Sequence, residues 1–74
     1  MSESDFLSAA ASVMGIRDAS PDTRFRDVPG WCSMLGFGLM VAMENGFGAA
    51  PDIGEFMEAE TLGDLYECAK RTNS

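Results

Sequence analysis

The stretch Gly30–Gly48, GWCSMLGFGLMVAMENGFG, decides how this chain folds. It is the most apolar segment of the sequence, and Glu44 is its only charged side chain. The spacing of its large apolar residues predicts a helix over residues 33–47, because that spacing places them in rows along a helix surface. Gly46 and Gly48 are expected to end this helix, since glycine readily adopts the left-handed conformation that stops one.

Two apolar rows run along this predicted helix. They are Leu39, Met43 and Phe47 on one side and Met34, Phe37 and Val41 on the other. One row can enter a core, but a chain of 74 residues can hardly bury a helix on every side. We therefore expect Met34, Phe37 and Val41 to stay partly exposed or to line the opening of a cavity. The alternative is that all six side chains are core.

The remainder of the sequence predicts three further helices. The residues expected to begin them are Ser2 or Ser4, Pro51 with Asp52, and Thr61 with Asp64. Gly15 is expected to end the first helix, with Ile16 folding back on its last turn. The third helix is short, and the fourth should bury Leu62 and Leu65. The prediction is an all-α chain with a single domain over residues 1–74, folded as a small four-helix bundle.

The connection between the first two helices, residues 17–32, is long for so small a domain. Phe25, Val28 and Trp31 are apolar, and Pro21 and Pro29 restrict the backbone. We therefore expect a long ordered loop that packs on the bundle.

The composition excludes several classes of function. The formal net charge is −7, so we expect no binding to nucleic acid or to anionic membranes, whose charges would repel this surface. Basic partner proteins are favoured instead. The N-terminal sequence MSESDFLSAA lacks the basic head of a signal peptide, and no segment reaches the ~18 apolar residues of a membrane span. Two cysteines are too few for a disulfide framework, so we expect a cytoplasmic protein.

The residue inventory also argues against an independent enzyme. The chain has no histidine, which removes Ser-His and Cys-His nucleophilic pairs and the histidine general base. Two cysteines far apart in sequence do not form a zinc motif. No pair of carboxylates stands out as catalytic. We expect a non-catalytic protein without a bound metal.

Ser33 stands alone at the head of the apolar helix and allows two interpretations. Serine is a favoured helix N-cap, because its oxygen accepts a hydrogen bond from an orphan backbone N–H, which is worth about 1 kcal/mol. Alternatively, the hydroxyl is a point of covalent attachment. A phosphodiester there would lie at the positive end of the helix dipole, beside unpaired N–H donors.

The segments DTRFRDVPGWCSM, LGFGLMVAMENGFG and ETLGDLYECA, taken together, resemble the acyl carrier protein family. In that family a loop ending in Gly-Trp-Asp-Ser-Leu, or a similar sequence, leads into the second helix, and the serine carries a 4′-phosphopantetheine arm. Phe47 near the end of that helix and Thr61 before the last one also match. The resemblance extends from about Phe6 to Ala69 and implies a four-helix bundle of the acyl-carrier-protein type.

The resemblance implies a carrier function for Ser33. A phosphopantetheinyl transferase would esterify this residue, making the chain a phosphoprotein. The arm would then hold an acyl or aminoacyl group as a thioester for acyl-loading and acyl-processing enzymes of fatty-acid, polyketide or related biosynthesis. The side chains expected to dock those enzymes are Met34, Phe37, Val41, Glu44, Glu55 and Glu58. A short chain beginning with Met1 is expected to be a discrete, monomeric carrier.

Cys32 departs from the family pattern, which has aspartate before the serine. In the family that acid helps the transferase engage, so its replacement leaves a second function open. The chain would then be a degenerate carrier fold that takes no arm and acts as a protein-binding adaptor. A third interpretation makes Cys32 a reactive thiol at a helix N-terminus, against the simpler reading of a small structural thiol. Cys68 is expected to be buried packing.

Overall fold

The computed structural model describes residues 2–72, in which helices are joined by loops and one isolated β-bridge pairs Arg24 with Thr61. Within these residues four α-helices follow one another: α1 (Glu3–Met14), α2 (Ser33–Phe47), α3 (Ile53–Glu58) and α4 (Leu62–Thr72). A single 3₁₀ turn, Phe25–Asp27, interrupts the long loop. The prediction of a small all-α chain with a short third helix is confirmed. None of the helices within the described residues is long and apolar enough to cross a membrane.

The ends of α1 follow from its terminal residues. Ser2 is the N-cap and forms a capping box, because its Oγ accepts from the Asp5 amide at 3.1 Å and its own amide donates to the Asp5 carboxylate at 3.4 Å. At the other end Gly15 is left-handed, with φ 69°. The Ile16 amide then donates to the Ala11 carbonyl at 3.0 Å, which completes the Schellman motif expected from the sequence.

α2 spans residues 33–47, as predicted, and ends at Gly48. Gly46, the other glycine expected to end it, lies inside the helix. The left-handed residue is Gly48, whose amide donates to the Glu44 carbonyl at 2.8 Å. The last helical residue is Phe47, which is buried against the ring of Phe6 with the ring centroids 6.0 Å apart. Burial of this ring favours helix at Phe47 despite the poor helix propensity of Gly46.

The core lies where α1, α2 and α4 meet. Its fully buried helical members are Phe6 and Ala10 of α1, Leu39 and Met43 of α2, and Leu62, Leu65 and Ala69 of α4. The first apolar row of α2 is therefore the core row, as expected. Gly38 allows α1 to approach α2 closely, because a Cβ at this position would lie 2.9 Å from Cγ1 of Val13.

The long loop packs on the helices, as predicted. Phe25 is fully buried, and its ring lies 5.5 Å from the rings of both Trp31 and Phe56, measured between centroids. Loop carbonyls also reach the first turn of α4, where the amides of Leu62 and Gly63 donate to them at 3.0 and 2.9 Å. These contacts hold the loop between α3 and α4, and they place its last residues directly before α2.

Candidate functional site

Ser33 is the first residue of α2 and is exposed. Its hydroxyl forms no hydrogen bond with any residue that the structure describes. The N-cap is Cys32, with an extended backbone at φ −157°, and its carbonyl accepts from the amides of Leu35 and Gly36 at 3.0 and 3.3 Å. The interpretation of Ser33 as the helix N-cap is therefore wrong, because the serine lies one residue inside the helix.

Because Ser33 does not cap α2, the first turn of this helix has backbone amides that no described side chain satisfies. The Cys32 side chain makes no capping hydrogen bond. Within residues 2–72 the amides of Ser33 and Met34 have no hydrogen-bond partner either, although the first turn of a helix has orphan donors that a cap normally satisfies. No acidic residue lies in this turn. The Ser33 hydroxyl thus belongs to the same first turn as two unpaired amides, at the positive end of the helix dipole.

An apolar groove of about 400 Å³ lies beside Ser33, between the long loop, α2 and α3. Its lining residues are Arg26, Trp31, Ser33, Gly36, Phe37, Met40, Ile53, Phe56 and Met57. Trp31 lies beside the backbone of α2 at Gly36, where a Cβ would be in ordinary van der Waals contact with its ring at 3.4 Å. The ring of Trp31 forms one wall of the groove.

The second apolar row of α2 is exposed, as expected. Met34 is 80% exposed, Phe37 71% and Val41 39%, so the alternative in which all six apolar residues of the helix are core is wrong. Of the three, only Phe37 lines the apolar groove. Two residues of α3, Ile53 and Met57, are also largely exposed and form the opposite wall. Sequence reasoning assigned no site role to them, because a six-residue helix shows too few turns to reveal which side faces solvent.

The acidic residues predicted to assist docking lie in different places. Glu44 is exposed in the last turn of α2. Glu55 and Glu58 line a separate groove between α3 and α4, together with Glu67, Cys68 and other polar residues. α3 thus presents its apolar side to the apolar groove and its acids to α4. The docking role of these glutamates stays a prediction.

The two cysteines differ in their surroundings. Cys68 is buried on α4 as expected, and this burial raises the pKa of its thiol, which keeps it protonated at neutral pH. Its sulfur accepts a hydrogen bond from Arg71 at 3.4 Å. Cys32 is exposed beside Ser33. No group of three or more potential metal-binding side chains occurs among residues 2–72.

Arg26 is a residue of the site that the sequence did not indicate. Its guanidinium donates to the carbonyls of Ala59, Phe56 and Met57 at 2.6, 2.8 and 2.9 Å. It also lies over the Phe25 ring, 4.7 Å from the centroid. The carbonyls that it binds are 30 to 33 residues away in the chain, so no local pattern could reveal them.

Comparisons with known proteins add no relative: no family model, curated protein or solved structure matches the chain. The interpretation of the site therefore rests on its own geometry. That geometry combines an accessible primary hydroxyl, an open helix N-terminus and an adjoining apolar groove.

Proposed function

We propose that this protein is a carrier of the acyl-carrier-protein type, in which Ser33 bears a 4′-phosphopantetheine arm. The arm supplies a terminal thiol that holds an acyl or aminoacyl group as a thioester. The observation that carries the proposal is the state of Ser33, whose hydroxyl is exposed and makes no hydrogen bond with the described residues. A transferase can reach such a hydroxyl without first breaking a cap.

The residues around Ser33 fit an attached phosphodiester. In the attachment step the Ser33 oxygen forms a bond to the phosphorus of coenzyme A that carries the pantetheine. The pyrophosphate P–O bond breaks and adenosine 3′,5′-bisphosphate leaves. The hydroxyl proton passes to a base on the transferase. The unpaired amides of Ser33 and Met34 then lie close to the new negative charge, which a helix N-terminus stabilises.

The apolar groove supports a role in sheltering the cargo. Six large apolar side chains line it: Trp31, Phe37, Met40, Ile53, Phe56 and Met57. A hydrocarbon chain tethered at Ser33 can enter this groove without crossing the surface of the protein, and each buried methylene contributes about 0.8 kcal/mol. Shelter of this kind keeps an apolar group out of water between enzymes.

Docking of acyl-loading and acyl-processing enzymes is proposed to use the exposed row Met34, Phe37 and Val41, assisted by Glu44. Glu55 and Glu58 offer further acidic contacts on the α3–α4 side. No acid lies in the first turn of α2, next to the attachment point. Binding is therefore expected to depend mainly on apolar contact, with a weak dependence on salt.

The decisive experiment is intact mass after incubation with coenzyme A and a broad-specificity phosphopantetheinyl transferase. The wild-type protein and a Ser8→Ala control are expected to gain one phosphopantetheinyl group, since Ser8 is an exposed serine of α1 that is distant from Ser33 in the sequence. Ser33→Ala is expected to gain none. An unchanged mass in the wild type, or a gain that survives Ser33→Ala, would contradict the proposal.

A second candidate is an unmodified adaptor with the same fold. The observation that favours it is Cys32, which stands at the N-cap of α2 where the resembled family has an acid that its transferase uses. If the wild type gains no mass but Cys32→Asp does, the adaptor is supported. Rapid alkylation of the exposed Cys32 near neutral pH would instead support a reactive-thiol module.

A further inference from the structure

The exposed row of α2 has a spacing that is symmetric about position 39. The row Met34, Phe37 and Val41 continues to Glu44, and all four side chains are exposed. Met34 and Glu44 lie at equal distances from position 39 in the sequence, and so do Phe37 and Val41. Steps of three, four and three residues keep side chains in one narrow row, which is the spacing at which two helices pair side by side.

A row with this symmetry can pair with a second copy of itself. In a twofold-symmetric interface residue i of one copy contacts residue j of the other, and j contacts i. Two antiparallel α2 helices that cross at position 39 place Phe37 opposite Val41 of the second copy. The same arrangement places Met34 opposite Glu44 of the second copy. The symmetric spacing therefore favours a second copy of this chain over a partner of unrelated sequence.

The two ends of the row are complementary in charge. Glu44 is exposed in the last turn of α2, whereas the first turn holds no acid and its N-cap Cys32 makes no side-chain hydrogen bond. In the antiparallel arrangement the Glu44 carboxylate approaches the N-terminus of α2 in the second copy, where a negative charge is stabilised. A parallel arrangement would bring the two Glu44 carboxylates together. Charge therefore selects the antiparallel pair.

The exposed apolar surface has the size that a weak dimer needs. Ile53 and Met57 of α3 are largely exposed, as are Met34 and Phe37, and Val41 is partly so. At on the order of 150 Å² for a large apolar side chain, these five residues expose roughly 500 Å² in each copy. Two copies would bury roughly 1,000 Å², which is the lower limit for a specific interface. The net charge of −7 opposes association, but physiological salt screens charges that lie more than about 8 Å apart.

We infer that the unmodified protein forms an antiparallel homodimer through α2, with Phe37 and Val41 at its centre. Glu44 of each copy lies at the α2 N-terminus of the other. The pairing goes beyond the proposed function and does not rest on it, since no arm takes part. It departs from the monomer expected from the sequence, because that expectation considered the length of the chain and not the symmetry of the exposed row. Dimerisation and enzyme docking use the same row and exclude each other.

Sedimentation equilibrium of the unmodified protein tests the dimer. Between about 10 µM and 1 mM in physiological salt, the average mass is expected to rise from that of the monomer toward twice that value, since interfaces of this size are weak. Phe37→Glu puts a charge from each copy into the centre of the interface and should raise the dissociation constant at least about 10-fold. Ser8→Glu is the matched control, because it adds the same charge at an exposed residue of α1. It should change the constant by less than about threefold.

An exchange of charges tests the antiparallel register. Met34→Glu places a carboxylate opposite Glu44 of the second copy and should weaken the dimer about 10-fold. Glu44→Lys places a cation at the helix N-terminus of the second copy and should weaken it as well. The double variant joins the new carboxylate to the new ammonium across the interface, and it should dimerise at least about 10-fold more tightly than Met34→Glu. The two positions are about 15 Å apart within one helix, so the rescue requires the second copy.

Three results would overturn the proposal. A wild type that stays monomeric up to about 1 mM would leave the row to a partner of different sequence. Equal effects of Phe37→Glu and Ser8→Glu would place the interface elsewhere. A double variant that dimerises no more tightly than Met34→Glu would exclude the antiparallel register, and this pair of variants decides the question if Phe37→Glu does not fold. None of these measurements needs an arm, so a failure of Ser33 to accept one leaves them interpretable.

Discussion

The first turns of α4 and α2 differ in whether their backbone amides have hydrogen-bond acceptors. In α4 each of the first three amides has an acceptor; these are the Thr23 carbonyl for Leu62, the Pro21 carbonyl for Gly63 and the Thr61 hydroxyl for Asp64. In α2 the first two amides have none among the described residues, and its N-cap Cys32 contributes no side-chain bond. One helix start is closed by the loop and by its own cap, and the other faces solvent.

This difference separates a structural helix end from an available one. Closing the start of α4 joins the long loop to the core and stabilises the fold. The uncapped start of α2 lacks the stabilisation of about 1 kcal/mol that an N-cap side chain would contribute. It also leaves the Ser33 hydroxyl and two backbone amides without partners among the described residues. The proposed attachment of a phosphodiester uses the donors that the fold itself does not.

The largest expected effect comes from disturbing the contact between the long loop and the first turn of α4. In Gly63→Ala the new Cβ would lie 2.9 Å from the Pro21 carbonyl oxygen and 3.2 Å from its Cβ. Overpacking of this kind costs about 1–3 kcal/mol of unfolding free energy, measured by urea denaturation. Gly54→Ala is the control, because its nearest atom would be the Asp52 carboxylate at 3.4 Å. Equal unfolding free energies of the two variants would show that the loop does not pack closely on the first turn of α4.

The next effect compares the two hydroxyls directly. Thr61→Ala removes an acceptor of the Asp64 amide, at 3.1 Å, and should lower the unfolding free energy by about 1 kcal/mol. Ser33→Ala removes a hydroxyl with no partner among the described residues and should change it by less than about 0.5 kcal/mol. A loss at Ser33 as large as that at Thr61 would show that the serine is a cap after all.

A smaller gain is expected from capping α2. Cys32→Asp places a carboxylate at the N-cap, where it can accept from a first-turn amide and complement the dipole. Thermal unfolding should show a stabilisation of about 0.5–1 kcal/mol. Cys32→Ala should be near neutral, because the thiol makes no capping bond. If Cys32→Asp fails to stabilise the protein, the start of α2 is not open in solution.

The smallest effect is a dependence on pH at the start of α4. The amides of Glu60 and Thr61 donate to the Asp64 carboxylate at 3.0 and 3.1 Å and hold its pKa below the ordinary value. Because the pKa is lower in the folded state, this stabilisation is present above the unfolded pKa of about 3.9 and is lost as pH falls through the folded value.

The measurement is the difference in unfolding free energy between the wild type and Asp64→Asn across that range of pH. The wild type should lose its advantage below about pH 4. The effect is small because Asp64 is exposed and solvent screens it. No acid lies in the first turn of α2, so no comparable dependence of stability on pH is expected from that turn. A difference that stays constant down to pH 2 would contradict the assignment.

Much of the fold follows from local patterns. The caps at Ser2, Gly15 and Thr61 were predictable because each depends on residues within about four positions along the chain. The same locality explains two errors. Spacing alone did not distinguish Cys32 from Ser33 as the N-cap of α2. Nor did it show which of Gly46 and Gly48 ends α2, although the predicted range of residues 33–47 is confirmed.

The site divides in the same way. The exposure of Met34 and Phe37 was predictable, because a short chain cannot cover both sides of an apolar helix. The groove was not, since its opposite wall comes from α3 and its position depends on Arg26.

The sequence by itself determined where the helices lie, how most of them end, and that one apolar row of α2 would lack a partner in the core. These properties arise from hydrogen bonds and side-chain periodicity within a few residues. Only the tertiary structure decided that loop carbonyls accept from the first amides of α4, that the Ser33 hydroxyl has no partner among the described residues, and that Arg26 binds the carbonyls at the end of α3. Those contacts join residues tens of positions apart, and they form only when the burial of Phe25 and Phe56 brings the loop and α3 together.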